Sequence, residues 1–166
     1  MVLHMLSCRS SLLMLSAALA ACAPPAPAAS APAPAPVVVP AIVVNAPFAK
    51  TWDAFVSLMV EQQVTPKTLL RESGLIETGF SEQYYRIAEA DGLAACPAGH
   101  RSLPEYSKLG IDVIAHVHPV AGDSTKTNID LKPRFVEWRT TGYVECQTRG
   151  SYERSLGAMI KARAEQ

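Results

Sequence analysis

What this chain has little of narrows its function first. Lysine plus arginine and aspartate plus glutamate each number 15 in 166 residues, so neither sign of charge dominates. Without a basic excess there is no electrostatic footprint for a nucleic acid. No apolar run approaches the roughly 20 residues that a membrane-spanning helix needs. A hydrolytic enzyme requires a nucleophile held by a base, or a metal with three protein ligands, and the sequence shows neither pattern. Gly74 and Gly79 have phosphate-loop spacing, but Phe80-Ser81 stands where Lys-Ser/Thr would be required, which argues against a nucleotide site. The expectation is a non-catalytic protein without a cofactor.

What is present begins with a leader over residues 1–21. A weakly positive start containing His4 and Arg9 runs into the apolar segment Leu12 to Leu19, which has the length and flanks of a secretory signal. Leu19-Ala20-Ala21-Cys22 then resembles the lipobox of bacterial lipoproteins, in which a peptidase cuts before the cysteine and the thiol carries a diacylglycerol. The resemblance implies lipidation of Cys22, and the competing reading is an ordinary signal cut after Ala-x-Ala. With about 0.8 kcal/mol per buried methylene, several acyl chains make release from the bilayer negligible. Ala23 follows the cysteine where an aspartate would retain the protein in the inner membrane. By that family's sorting rule the implied address is the outer membrane, with the domain facing the periplasm.

Residues 22–36 form the lipidated cysteine and a linker. Six prolines in the 14 positions from Ala23 to Pro36 remove backbone donors and rule out a packed core. A polyproline-II-like spacer is expected, reaching roughly 40 Å. Of four cysteines, Cys8 belongs to the leader and Cys22 to the anchor. Cys96 and Cys146 are left in the exported part, which suggests one disulfide between them.

Residues 37–166 are expected to fold as one α+β domain. The β-branched run Val37 to Val44, interrupted by Pro40, reads as a first strand at an edge. After Asn45-Ala46-Pro47, the residues Phe48, Trp52, Phe55, Val56 and Met59 fall on one stripe of period 3.6, which predicts a helix packed on a sheet. Short strands are expected at Thr68 to Arg71 and Leu75 to Phe80, with Ile76, Thr78 and Phe80 on one face. Residues 81–110 show turn signals and read mostly as loop, with a strand near Tyr84 to Ala88. Ile111 to Val120 and Thr125 to Leu131 alternate strongly and form the clearest strand pair, continued by Arg134 to Trp138 past Pro133. Tyr152, Leu156, Met159, Ile160 and Arg163 mark a last helix over Ser151 to Ala164, weakened by Gly157 by about 1 kcal/mol.

Register within the pair follows from parity. Apolar residues lie at odd positions on both strands, so residues directly opposite must share parity. A three-residue loop of Gly122, Asp123 and Ser124 satisfies this, placing Val117 opposite Ile129, His116 opposite Asp130 and His118 opposite Asn128. His116 and His118 share the outer face, and an Asp130 engaged by His116 makes that pair a poor metal site. His100, beside Arg101, reads as a loop residue.

Ala46-Pro47, Trp52 early in the helix and Ser73-Gly74-Leu75-Ile76-x-Thr78 together resemble the folded domain of small envelope lipoproteins of the BamC (NlpB) kind. Cys146 to Gly150, followed by Glu153 and Leu156, resembles that family's closing pattern; here there is one such domain instead of two. The resemblance implies a helix-grip or TBP-like plan, a curved antiparallel sheet wrapping a long N-terminal helix and joined by a C-terminal one. It also implies binding to other envelope proteins, as an accessory of outer-membrane assembly. Helix-grip domains often hold an apolar ligand between helix and sheet, so lipid or apolar small-molecule binding is the alternative. A void of several hundred cubic ångströms under the helix would favour the ligand. The lipobox reading makes one prediction: Cys22→Ser abolishes acyl-chain labelling and releases the domain from membranes, and a variant still acylated and membrane-bound would refute it.

Overall fold

The structure, a computed structural model, describes residues 37–99 and 105–166. The leader, Cys22, the linker, His100 and Arg101 lie outside the described residues. In chain order the elements are β1 (Ile42–Val44), α1 (Phe48–Glu61), β2 (Pro66–Leu70), β3 (Leu75–Thr78), β4 (Ser81–Arg86), α2 (Ile87–Leu93), β5 (Ala94–Ala95), β6 (Tyr106–Val120), β7 (Asp123–Arg139), β8 (Gly142–Thr148) and α3 (Ser151–Ala164). This is the expected α+β class, a curved antiparallel sheet with helices from both ends of the domain, plus a short third helix.

β6 and β7 are the longest strands, and the others attach to them. β3 and β4 pair with successive halves of β6, and β2 flanks β3. Across β7, β1 pairs with its first part and β8 with its last, and β5 closes beyond β8. Between those two partners β7 has a gap, and Pro133 lies in it, so the missing N–H is tolerated inside a 17-residue strand.

The β6–β7 register runs unbroken from Lys108↔Trp138 to Pro119↔Thr127, with Val117↔Ile129, His116↔Asp130 and His118↔Asn128 as parity requires. The loop itself differs from expectation. Val120 pairs with Asp123 across a two-residue turn of Ala121 and Gly122, and the parity mismatch is absorbed by an irregularity before Thr127. Asp123 accounts for it: its carboxylate accepts the Thr125 amide at 3.0 Å and holds Lys126 at 3.0 Å, which draws residues 124–126 out of the ladder.

Odd residues of β6 from Ser107 to Val117 are buried, with Ile129 and Phe135 of β7 beside them. On this face α1 buries Trp52, Phe55 and Met59, as its stripe predicts, and each such side chain stabilises by about 1.5–3 kcal/mol. Thr127 donates its hydroxyl to the Ala46 carbonyl at 2.7 Å, fixing the start of α1 on β7. α3 packs beside α1, and Arg163 clasps the Glu61 carboxylate between their ends. Its buried face is Glu153, Leu156, Gly157 and Ile160, so Met159, expected inside, is 39% exposed. Gly157 has a positive reason to be glycine: a Cβ there would stand 2.1 Å from Ile42 Cδ1, and its absence lets β1 approach the helix.

Three further expectations are corrected. The first strand covers only Ile42–Val44, leaving Pro40 and the residues before it outside the sheet. β3 stops at Thr78, so Phe80 turns outward with the Arg134 guanidinium over its ring at 4.7 Å. Of residues 81–110, the described ones fall largely in elements: β4, α2, β5 and the first residues of β6. In α2, Glu89 reaches back to accept the Arg86 amide at 3.1 Å, which closes the start of a seven-residue helix.

The β2–β3 turn meets β6 at Gly74. With φ at +69° its carbonyl accepts the Val117 amide at 2.8 Å, and an added Cβ would stand 1.8 Å from the Val117 carbonyl oxygen. Gly74→Ala should therefore lose at least ~2 kcal/mol. Gly79→Ala, with nothing within 4 Å of the new methyl, should change stability by less than about 0.5 kcal/mol. Denaturant midpoints of the two variants check this; equal midpoints would contradict it.

Candidate functional site

α1 packs on β6 and β7 and α3 on β7 and β1, and the sheet floor on the β4 side is left open between them. The result is a cleft of about 390 Å³. Its floor is Ile111 and Val113 of β6 with Thr78 at the end of β3. One wall is Phe55, Leu58 and Met59 of α1, followed by Gln62 and Val64; the other is Tyr152 and Leu156 of α3. The third side is β4, whose alternation turns Ser81, Gln83 and Tyr85 toward the cavity while Glu82, Tyr84 and Arg86 face away.

The polar groups of the cleft are hydroxyls and amides. The Tyr85 hydroxyl donates to Gln83 Oε1 at 3.0 Å. Thr78 is committed: its Oγ1 accepts the Val113 amide at 2.8 Å and donates to Asp112 at 3.3 Å. The Tyr152 ring stands edge-on to Phe135, centroids 5.8 Å apart, and its hydroxyl has no hydrogen-bond partner among the described residues. Burial, reinforced by Tyr85 and Glu153, pushes the Tyr152 phenol from 10.0 up to about 12. Burial and then Glu89 also raise Tyr85. Both phenols thus keep their protons at neutral pH and present neutral O–H groups. Among the described residues no charged side chain lines this cavity.

The charges buried on this side of the sheet are engaged elsewhere. Glu153 accepts the Thr148 hydroxyl with both oxygens, at 2.7 and 2.8 Å, securing the turn into α3. Glu137, fully buried on β7, takes the Arg139 guanidinium at 2.9 and 2.7 Å and the Ser107 hydroxyl. Arg139 also donates to the carbonyls of Pro97 and Ala98, so this pair anchors the segment after Cys96. Sequence reasoning missed it, although acidic and basic residues two apart on a strand share a face and are a usable signal.

The residues singled out from sequence are dispersed. Cys96 and Cys146 are joined as a disulfide with Cα atoms 4.3 Å apart, closing a separation of 50 residues. Such a loop stabilises by about 4 kcal/mol on the chain-entropy account. His116 and His118 lie on the outer face, away from the cleft. Asp130 sits opposite His116, as expected, but its carboxylate reaches diagonally to His118 Nε2 at 3.1 Å. The expectation that it engages His116 is therefore corrected: diagonal neighbours in a twisted pair are within reach of long side chains. Among the described residues no three His, Cys, Asp or Glu side chains form a metal-binding group. Compared with known proteins, the chain matches no family model and no curated protein sequence.

The raised Tyr152 pKa makes a prediction about alkaline stability. A folded pKa above the unfolded value means the contribution is fully present below pH ~10 and is lost as the pH climbs toward ~12. Tyr152→Phe should flatten that alkaline decline and remove the last phase of the phenolate absorbance titration. An unchanged titration would refute the assignment.

Proposed function

We propose that this domain is a non-catalytic, lipid-anchored binding module that holds an apolar small molecule or a lipid chain in the cleft between α1, α3 and the sheet. The observation that carries the reading is the cavity of about 390 Å³, in which apolar side chains of the floor and helix walls alternate with the hydroxyl and amide groups of Gln62, Tyr152 and the β4 side. That volume lies within the range of small-molecule sites. The arrangement, one sheet face carrying an N-terminal and a C-terminal helix, fits the helix-grip plan that the BamC-like residues imply, and supports treating the cleft as the site. In this reading Cys22 tethers the domain to the outer membrane and the linker gives it reach into the periplasm.

A second reading, interaction with other envelope proteins in outer-membrane assembly, has an observation of its own. On the outer face Tyr84, Lys108, Trp138 and Tyr143 pair in one row across four strands. Tyr84 and Tyr143 are 64% and 66% exposed, and Lys108 lies over the Trp138 ring at 5.0 Å. Exposed aromatic rows of this sort are common in protein interfaces. The two readings use opposite faces and separate by mutation.

The uncharged dye N-phenylnaphthylamine should bind the domain with enhanced fluorescence. Leu58→Trp, which places bulk at a half-buried cleft position, should weaken that binding at least about tenfold at a stability cost of about 1–3 kcal/mol or less. Tyr84→Ala with Tyr143→Ala should leave it unchanged. Dye binding that survives Leu58→Trp and is lost on the outer face would overturn the cleft reading.

A further inference from the structure

The cleft reading, on which this step rests, leaves open which head group the bound chain carries. The lining answers by what each polar group can still do. A carboxylate entering the cleft would shed its water and find no cation, because Lys108 is on the outer face with Glu82 and Arg163 is paired with Glu61. An ammonium would find no carboxylate either, because neither Glu153, Glu89 nor Asp112 is among the residues that line the cleft. Burying either charge without a partner is costly. A hydroxyl or carbonyl is served well. The Tyr152 and Ser81 hydroxyls have no hydrogen-bond partner among the described residues, and the Tyr85 oxygen, having given its proton to Gln83, still accepts.

We infer that the cleft selects an uncharged amphiphile, an apolar chain ending in a hydroxyl or carbonyl group, and discriminates against both anionic and cationic chains of the same length. The polar end lies along Tyr152, Ser81 and Gln83, and the apolar end lies against Phe55, Met59 and Val113.

The test is calorimetric titration of the full chain at neutral pH with decanol, decanoate and decyltrimethylammonium, which share a tail and differ in head group. Decanol should bind at least about tenfold more tightly than either ion, on the scale of an unpaired buried charge. Tyr152→Phe should reduce that preference. Gln83→Lys, a change at an exposed position that should not disturb folding, should raise decanoate affinity about tenfold or more by supplying the missing cation. Decanoate or decyltrimethylammonium binding as tightly as decanol to the unaltered chain would overturn the selectivity while leaving the cleft reading intact. If no alkyl probe binds and N-phenylnaphthylamine also fails, the cleft reading falls and this inference falls with it.

Discussion

The register between β6 and β7 is the constraint on which the rest of the domain depends. Both strands present apolar residues at odd positions, and a one-residue slip would put Ile111, Val113 and Val117 of β6 on the opposite face from Ile129 and Phe135 of β7, sending one set or the other to solvent. With the register set, the odd face becomes the floor for α1 and α3, and each other strand finds a defined stretch of β6 or β7. The even face is left to histidines, charged residues and the Tyr84–Trp138–Tyr143 row. The turn is subordinate to the pairing: its parity mismatch is taken up within Ser124 to Lys126, and the core beyond Thr127 does not shift.

The cleft is a consequence of where the two helices are fixed to the sheet. Gly157 lets Ile42 press into α3, and Thr127 holds the carbonyl before α1, so each helix is fixed at one point to β1 or β7. β4 is left without a helix above it, and its inward residues are Ser81, Gln83 and Tyr85. A sheet edge lined by such residues does not need burial to be stable, and a cavity over it costs less than one over an apolar strand. Beyond β5 the chain is held by covalent and ionic means, with the Cys96–Cys146 bridge and the Glu137–Arg139 pair fixing the segment after that strand.

How far this was legible in the sequence follows from the same residues. Elements whose buried faces are apolar and periodic could be read: α1 from Trp52, Phe55 and Met59, the β6–β7 pair from its alternation, and α3 from the stripe that begins at Tyr152. β4 could be read only in part, as a strand near Tyr84 to Ala88 where it runs from Ser81 to Arg86, because its inward side is polar and its outward side carries Tyr84, so alternation does not mark its start. α2 is two turns long and contains Asp91-Gly92, which reads as a turn; it is held by Glu89 and by packing, neither of which periodicity reveals. The cleft was therefore anticipated only through the family resemblance, while its polar side falls in the stretch that the sequence reads as loop. Gly157 shows the same limit, since propensity counts its cost and not the contact with Ile42 that its missing side chain permits.

The most direct test of the account is a set of side-chain nuclear Overhauser contacts in the isotope-labelled protein. Contacts joining Val117 with Ile129 and Ile111 with Phe135, with Phe55 of α1 reaching the same face, are the result the register requires. Contacts joining Val117 with Asp130 or Asn128 as direct partners would place the apolar residues on opposite faces and contradict both the core and the cleft built on it.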